Sequence, residues 1–254
     1  MLAAVVDQLV SAYDAGSPGL DTLEGLGSLD PYLVQAAFVD RLCAREQTTI
    51  AGYKLSFTVQ DPPAEGPASS PAYGRLIGAQ IHDSGTRLGL AGEPLVETEL
   101  LLRPRTTVTA GTPLRDLIAA LEVRPALEVP VSRFRAWLPP SGPPRLTRAE
   151  FIADNCLARA LVVGGFWVSA ESLDLGEVET CLTGPGNLVA RATSAVVMGS
   201  PLVAFSWLLE TVGSVAAGEV VATGTITTPV RAESGTYRAD FGASLGSVFV
   251  GFSE

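Results

Sequence analysis

Three glutamates lie in apolar stretches of the sequence, where charged side chains are unexpected. Glu97 and Glu99 are two residues apart in the run 96–102, and in a β-strand the side chains at i and i+2 point to the same face. Two carboxylates that converge in this way repel each other unless a cation or a proton lies between them. We therefore predict either a cation site or a strand whose solvent-facing side carries both acids.

Glu128 is the third of these residues, and it lies alone in the apolar run 125–131. A buried carboxylate without a partner is unfavourable, so Glu128 either faces solvent or has a cationic partner. Three glutamates on two strands could supply oxygen ligands to one divalent cation and leave positions open for water and substrate. Oxygen ligands favour hard ions such as magnesium or manganese. The spacing alone does not place the two strands side by side.

The chain has a single lysine, Lys54, and a single histidine, His82. One imidazole excludes a metal site built from two or three histidines of one chain, and it excludes most Ser-His-Asp chemistry unless His82 serves it. Lys54 lies in a β-like run, and a lysine can release its proton whereas an arginine cannot. It is therefore either a group that takes part in chemistry or a solvent-facing lysine.

Composition excludes several classes of partner. The 254 residues are 47% hydrophobic with a net charge of -10, which indicates one compact domain or at most two small ones. The acidic balance argues against nucleic-acid and anionic-membrane partners. The N-terminus lacks a basic n-region, no apolar run reaches about 18 residues, and the three cysteines form no CxxC pair. These features predict a cytoplasmic protein.

Local punctuation marks the expected elements. Helices are predicted over 2–13, from Asp30-Pro31 to about Cys43, and at Thr112-Pro113, Thr147 with Glu150 as a capping box, and Ser200-Pro201. Strands are predicted over 48–58, 96–103, 126–131, 161–169, 177–182, 219–225 and 246–252. Because the strands cluster after residue 48 without regular alternation with helices, the class is α+β. Two Pro-rich loops, 61–71 and 139–144, are candidate binding segments.

Several short motifs follow one another along most of the chain. They are Asp30-Pro31-Tyr32, Gly52-Tyr53-Lys54-Leu55, Pro71-Ala72-Tyr73-Gly74, Glu97-Thr98-Glu99, Pro125-Ala126-Leu127-Glu128, Asp154-Asn155, Gly164-Gly165, Gly199-Ser200-Pro201, Thr223-Gly224-Thr225 and Leu245-Gly246-Ser247. None is specific by itself. In their order and spacing they resemble the 2-keto-4-pentenoate hydratase and 4-oxalocrotonate decarboxylase group, within the wider fumarylacetoacetate hydrolase superfamily.

The resemblance implies a fumarylacetoacetate-hydrolase-like fold, a mixed β-sandwich roll with N-terminal and outer helices. It implies one domain over 1–254, with a helical part at 1–47 and a β-rich metal-binding core at 48–254. It also implies an assembly of identical subunits. The cofactor would be Mg²⁺ or Mn²⁺.

The resemblance also assigns roles to individual residues. The ion would lie on Glu97, Glu99 and Glu128, and Lys54 would lie at the substrate carboxylate or act in proton transfer. The residues implied in substrate binding are Tyr73, Asp154, Asn155 and Thr225.

Two positions depart from the family pattern. Ala79 stands where the family often has an acid, and Val131 stands where it usually has an aspartate. Hydration needs groups that activate water and protonate carbon, so both departures bear on that step. His82, three residues after Ala79, is a weak candidate to replace the missing acid, and it is otherwise a surface loop residue.

The predicted function is that of a divalent-metal-dependent lyase. Its substrate would be a small unsaturated 2-oxo or 2-hydroxy acid, and the reaction would be hydration of a 2-hydroxypenta-2,4-dienoate-like acid or decarboxylation of a 4-oxalocrotonate-like acid. Two alternatives remain open at this point. One is a diketo-acid hydrolase or isomerase of the same superfamily, and the other is a catalytically inactive binding protein that keeps the fold.

Overall fold

The structure is a computed structural model that describes residues 1–16, 18–59, 69–135, 137–138 and 145–254. The predicted loop 139–144 and most of the predicted loop 61–71 lie outside these residues. The described helices are α1 (Leu2–Asp14), α2 (Pro31–Glu46), α3 (Leu114–Ala120), α4 (Arg148–Ala153) and α5 (Pro201–Val212). The described strands are β1 (Ile50–Ser56), β2 (Ala72–Ile77), β3 (Ile81–Asp83), β4 (Arg87–Gly89), β5 (Leu95–Pro104), β6 (Val108–Thr109), β7 (Leu121–Val129), β8 (Ala160–Val163), β9 (Val168–Ser169), β10 (Glu179–Gly184), β11 (Leu188–Thr193), β12 (Ser214–Val215), β13 (Val220–Ala222), β14 (Val230–Arg231), β15 (Gly235–Asp240) and β16 (Ser247–Ser253).

The helices begin mostly where their capping residues predict. The Asp30 carboxylate accepts a hydrogen bond from the Tyr32 amide at 2.9 Å, and Thr147 forms the predicted capping box before α4. The Ser200 hydroxyl caps α5 by accepting a hydrogen bond from the Leu202 amide. The predicted cap at Thr112 is wrong, because α3 begins after Pro113 without a side-chain cap and the Thr112 hydroxyl donates to the Thr109 carbonyl instead.

Two sheets form the β core of the described chain. The larger has the strand order β2-β1-β13-β5-β7-β8-β3, with β14 added to β5 and β9 added to β7, and the smaller has the order β11-β10-β15-β16-β4. The longest pairing is antiparallel and joins β5 to β7 near the middle of the larger sheet. Side chains from both sheets and from α5 pack into one hydrophobic cluster between them. The predicted α+β class, with a β-sandwich roll, is confirmed.

The N-terminal helices cover one end of this core. Helices α1 and α2 bury Val5, Leu9, Phe38 and Leu42 against a second cluster, which also receives Phe151 from α4. The helical segment 1–47 is therefore joined to a helix from much later in the chain. None of the described helices is both long and apolar enough to cross a membrane.

The capping box gives a test of the local fold. Thr147→Ala removes the hydroxyl that accepts the Glu150 amide, so we expect the free energy of unfolding to fall by about 1 kcal/mol. Urea denaturation measures this change. Thr112→Ala is the matched control, since Thr112 caps no helix. Its free energy of unfolding should stay within about 0.5 kcal/mol of that of the native protein. Equal effects at the two positions would contradict the assignment.

Candidate active site

The register between β5 and β7 brings the three glutamates together. Glu97 lies directly opposite Glu128, and Glu99 lies opposite Ala126. One carboxylate oxygen from each glutamate lies within 4.8 Å of the corresponding oxygens of the other two. Glu99 and Glu128 are 0% exposed, so the alternative of a solvent-facing acidic strand is wrong.

The hydrogen bonding of these carboxylates is incomplete. Oε2 of Glu99 accepts the Gly224 amide at 2.9 Å, but Oε1 of Glu99 and both oxygens of Glu128 have no hydrogen bond among the described residues. Buried acceptors of this kind normally have partners. A divalent cation within reach of all three carboxylates would supply one, and hard cations take carboxylate oxygens as ligands. The donor set therefore fits such an ion.

Gly224 is required for the amide contact to Glu99. Its φ is +113°, a conformation that side-chain-bearing residues rarely adopt, and a Cβ there would collide with the Thr58 hydroxyl. The Thr223-Gly224-Thr225 segment thus brings a backbone amide to a buried carboxylate. The motif is visible in the sequence, but its role depends on a contact that only the fold reveals.

Lys54 on β1 faces the same carboxylates. Its Nζ lies 3.1 Å from Oε1 of Glu128, and it donates hydrogen bonds to the Ser56 hydroxyl at 2.7 Å and to the Cys156 carbonyl at 3.0 Å. Two of these contacts are hydrogen bonds and the third is an ion pair, so one of the three ammonium donors is not used by the described residues. Ser56 was not predicted, although a residue two positions after Lys54 on a strand shares its face.

The charge of Lys54 is maintained by its neighbours. Burial lowers the tendency of the amine to hold a proton, but the carboxylates of Glu128, Glu97 and Glu99 outweigh burial and raise the pKa of Lys54 above its ordinary value. Only 3% of the side chain is exposed. The prediction of a solvent-facing lysine is wrong, and Lys54 is a buried, hydrogen-bonded cation.

An unusual turn presents the Cys156 carbonyl to Lys54. Asn155, Cys156 and Leu157 all have positive φ, at 54°, 49° and 64°, and such backbone strain clusters at functional sites. The Asn155 side chain accepts the Arg75 amide at 2.7 Å and donates to the Arg75 carbonyl at 2.8 Å. Asn155 therefore fixes the turn to β2 instead of lining a cavity.

Gly74 allows this turn to approach β2. A Cβ at position 74 would collide with the Asn155 carbonyl oxygen. The Tyr73-Gly74 motif and the Asp154-Asn155 motif, which lie far apart in the sequence, thus meet in one packed contact behind Lys54.

Asp154 also has a structural environment. Its carboxylate forms a buried ion pair with Arg133 and accepts hydrogen bonds from the Ser132 hydroxyl at 2.8 Å and the Arg133 amide at 3.0 Å. Burial, opposed by Arg133, raises the pKa of Asp154. The segment that follows Val131 therefore holds Asp154, and the geometry does not bring Asp154 to the cavity.

A cavity of about 690 Å³ opens over Lys54 and Glu97. Thr225, which the resemblance implies in substrate binding, lines this cavity, and its hydroxyl donates to the Thr227 carbonyl. Much of the remaining described wall is apolar. Side chains of this wall that the sequence did not single out include Leu95, Trp137, Leu138, Phe151, Val196 and Ile226.

Two predicted residues lie on the opposite face of the sheet. Tyr73 pairs with Leu55, the neighbour of Lys54, and its ring stacks on Tyr32 with centroids 4.6 Å apart. His82 pairs with Val162, which in turn pairs with Leu127, the neighbour of Glu128. Because alternate residues face opposite sides of a strand, neither side chain shares the face of the glutamates.

The two departures from the family pattern also lie outside the described cavity wall. Ala79 is exposed, and its amide donates to the Thr48 hydroxyl at 3.2 Å. Val131 lines a separate, smaller hollow of about 120 Å³. Neither substitution removes a group from the wall around Lys54.

Two of the three carboxylates, those of Glu97 and Glu99, hold their protons more tightly than a free glutamate does. Burial and the charge of Glu128 raise the pKa of Glu97 to about 7 and raise the pKa of Glu99 well above its usual range. The fold and the site define the class of this protein, which is an α+β protein with a carboxylate-rich candidate cation site beneath a cavity.

Comparison with known proteins identifies the family. No protein-family model matches the chain. A 2-keto-4-pentenoate hydratase of Burkholderia vietnamiensis (strain G4 / LMG 22486) is 28% identical over 265 residues, which cover 100% of this chain and 98% of that protein. A 4-oxalocrotonate decarboxylase of Pseudomonas sp is 31% identical over 192 residues, which cover 72% of this chain and 71% of that protein.

A solved structure of a protein with one of these names has the same fold as this chain. The 4-oxalocrotonate decarboxylase from Pseudomonas putida G7, complexed with magnesium and adipate, superposes with a TM-score of 0.85 at 23% identity and covers 98% of this chain and 97% of that one. The chain belongs to the family of 2-keto-4-pentenoate hydratases and 4-oxalocrotonate decarboxylases, which are lyases.

The buried ion pair behind the site gives a stability test. Asp154→Ala leaves the Arg133 charge buried without its partner, so we expect a loss of about 3–5 kcal/mol in the free energy of unfolding. Urea denaturation measures it. The double variant Arg133→Met/Asp154→Leu removes both charges and should lose less than Asp154→Ala alone. A double variant less stable than the single one would contradict this account.

The raised pKa of Glu97 predicts a pH dependence for the metal-free protein. The folded state binds this proton more tightly than the unfolded state, so stability falls as the pH rises through about 7. We expect the Tm to be a few degrees lower at about pH 8 than at about pH 6. Saturating Mg²⁺ should restore the Tm at the higher pH, because a cation replaces the lost proton.

Glu97→Gln is the control for this measurement. It removes the titrating group, so the difference in Tm between the two pH values should shrink. A metal-free protein whose Tm stays constant or rises over this pH interval would show that Glu97 does not bind its proton more tightly in the folded state than in the unfolded state.

Proposed function

We propose that this protein is a divalent-metal-dependent lyase that acts on a small unsaturated 2-oxo or 2-hydroxy acid. One observation supports this proposal above all: three glutamates, two of them fully buried, converge with one lysine at the floor of a cavity. The hydratase and decarboxylase named among the relatives place the same chemistry within the family. The proposed ion is Mg²⁺ or Mn²⁺.

Glu97, Glu99 and Glu128 would hold the ion through their carboxylate oxygens. When bound, it would polarise the 2-oxygen of the substrate and stabilise the negative charge that develops on a dienolate. The Gly224 amide keeps Glu99 in place. Lys54 keeps Glu128 in place by its ion pair.

Lys54 is proposed to bind negative charge instead of removing a proton. The buried ion pair with Glu128 favours the charged, ammonium form of Lys54. The Cys156 carbonyl and the Ser56 hydroxyl hold the ammonium at the cavity floor, where it can attract the substrate carboxylate. Thr225 lies on the adjacent wall, and its hydroxyl would have to exchange its hydrogen bond to the Thr227 carbonyl in order to donate to the substrate.

Hydration and decarboxylation share this electron sink and differ at the far end of the substrate. In hydration, the hydroxyl of water bonds to one alkene carbon and a proton bonds to another. In decarboxylation, a carbon–carbon bond breaks, CO₂ leaves, and its electron pair enters the dienolate. Product analysis distinguishes the two, and a cleaved diketo acid would point to the alternative hydrolase.

Several further assignments stay predictions from the sequence and the resemblance. They are a single domain over 1–254, a homo-oligomer, a cytoplasmic location and the substrate-binding roles of Tyr73, Asp154 and Asn155. The contacts of these last three side chains favour structural roles. Light scattering at micromolar concentration tests the oligomer, and a monomer would contradict it.

Metal loading and turnover test the proposal directly. After incubation with Mg²⁺ or Mn²⁺ we expect about one metal equivalent per chain, and turnover of a 2-hydroxydienoate should depend on it. Glu99→Gln and Lys54→Met should each lower kcat/KM by about 10²- to 10³-fold, comparable with the removal of one electrostatic contributor. Glu179→Gln, an exposed glutamate on β10, is the control and should leave kcat/KM unchanged.

The departure at position 79 gives a second test. Because Ala79 is exposed and bonded to Thr48, Ala79→Asp should change kcat/KM less than about twofold, as expected for a surface change. Kinetics with the same substrate measure this. A gain of tenfold or more would show that position 79 belongs to the catalytic machinery and that the native chain lacks one of its groups.

A further inference from the structure

The cavity is larger than a short acid requires. At about 690 Å³ it lies within the range of about 300–1,000 Å³ typical of pockets for drug-sized ligands. A five-carbon dienoate that placed its carboxylate near Lys54 would leave most of this volume to solvent. The side chains that line the rest of the cavity therefore indicate what the remainder of the substrate is like.

The described wall combines a charged group with a mostly apolar surface. Lys54, Ser56 and Glu97 form the charged group, and the other polar side chains of the wall are Thr58, Thr225, Thr227, Thr228 and Arg231. Apolar side chains dominate elsewhere along the described wall, namely Leu95, Trp137, Leu138, Phe151, Val196 and Ile226. A site with a charged group and a mostly apolar surface selects a ligand with the same division.

The apolar wall is held in place by packing. Trp137 is 1% exposed, and its indole nitrogen donates to the Gly92 carbonyl at 3.0 Å. The rings of Phe57 and Phe151 lie 4.5 Å apart. Because these groups are already ordered, an apolar ligand would meet a formed surface and lose little free energy in ordering it.

Cationic groups for a second substrate carboxylate are scarce. Among the described lining residues, the cationic side chains are Lys54 and Arg231. Arg231 lies 3.0 Å from a Glu93 oxygen and donates to the Leu138 carbonyl at 2.6 Å. Its charge is thus compensated, and a second carboxylate would have to compete with Glu93 for it.

We propose that the substrate is a monocarboxylic 2-hydroxydienoic or unsaturated 2-oxo acid whose end remote from the carboxylate carries an extended apolar tail, alkyl or aryl, instead of a second carboxylate. The inference rests on the lyase function proposed above. Such an acid has no distal carboxylate to lose, so the reaction is hydration. One water adds to the dienol and the product is a hydroxylated 2-oxo acid, with no oxidant or reductant.

Binding of unreactive 2-oxo acids tests the tail without relying on turnover. Calorimetry on the Mg²⁺-loaded protein compares 2-oxobutanoate, 2-oxooctanoate and the eight-carbon 2-oxo diacid. Each methylene that reaches an apolar wall is worth about a three- to fourfold gain in affinity. We therefore expect 2-oxooctanoate to bind at least about tenfold more tightly than 2-oxobutanoate, and the diacid to bind no more tightly than 2-oxobutanoate.

A charge placed in the wall sharpens the test. Val196 lines the cavity and is 40% exposed, and Val203 on α5 is also 40% exposed but lies outside the lining. Val196→Lys should lower the affinity for 2-oxooctanoate at least about fivefold and raise the affinity for the diacid. It should change the affinity for 2-oxobutanoate by less than about twofold. Val203→Lys is the matched control and should change none of the three affinities.

The outcomes separate this inference from the lyase proposal. If 2-oxobutanoate binds but the longer acid gains nothing, or if the diacid binds best, the apolar-tail inference fails while the metal-dependent lyase stands. If no 2-oxo acid binds the Mg²⁺-loaded protein, both proposals fail. A gain with chain length that Val196→Lys reverses and Val203→Lys preserves supports the inference.

Discussion

The mutual repulsion of three glutamates inside a β-sheet is the constraint on which the site depends. Glu97, Glu99 and Glu128 share one face because β5 and β7 pair in a single register. A slip of one residue would move one strand's acids to the opposite face, into the cluster between the sheets. The long antiparallel pairing of these strands therefore fixes the charges as well as the fold.

The ammonium of Lys54 offsets part of this repulsion. Segments that lie far from Lys54 in the sequence hold it in position. It reaches the carboxylates from β1, separated from β5 by β13. The turn at residues 155–157 supplies a carbonyl to it, and the Gly74 contact seats that turn. One ammonium against three carboxylates leaves an excess of negative charge, which a hard divalent cation can offset.

Patterns within one element were readable from the sequence. The i, i+2 spacing of Glu97 and Glu99 predicted convergence, capping residues correctly located three helices, and each of the seven predicted strand regions contains observed strand. Strands such as β2 and β15 were missed, because their glycines, charges and short lengths weaken the local signal.

Contacts between elements were not readable in the same way. Glu97 lies opposite Glu128 because of the register between β5 and β7. The residue pattern within one strand does not predict that register. The same holds for Tyr73 and His82, whose residue types suggested chemistry but whose strand phases turn them to the other face. The resemblance implied a substrate-binding role for Asn155, yet the hydrogen bonds of its side chain join it to the backbone of Arg75.

The hydrogen bond from Lys54 to residue 156 ends on a main-chain oxygen. Another small apolar side chain could therefore replace that of Cys156 without removing the contact. The position of the carbonyl depends instead on Gly74, which pairs with Lys54 across the two strands, and on Asn155, which fixes the turn to β2. In a set of diverged sequences, we therefore expect the residue types at positions 74 and 155 to be more restricted than the residue type at position 156.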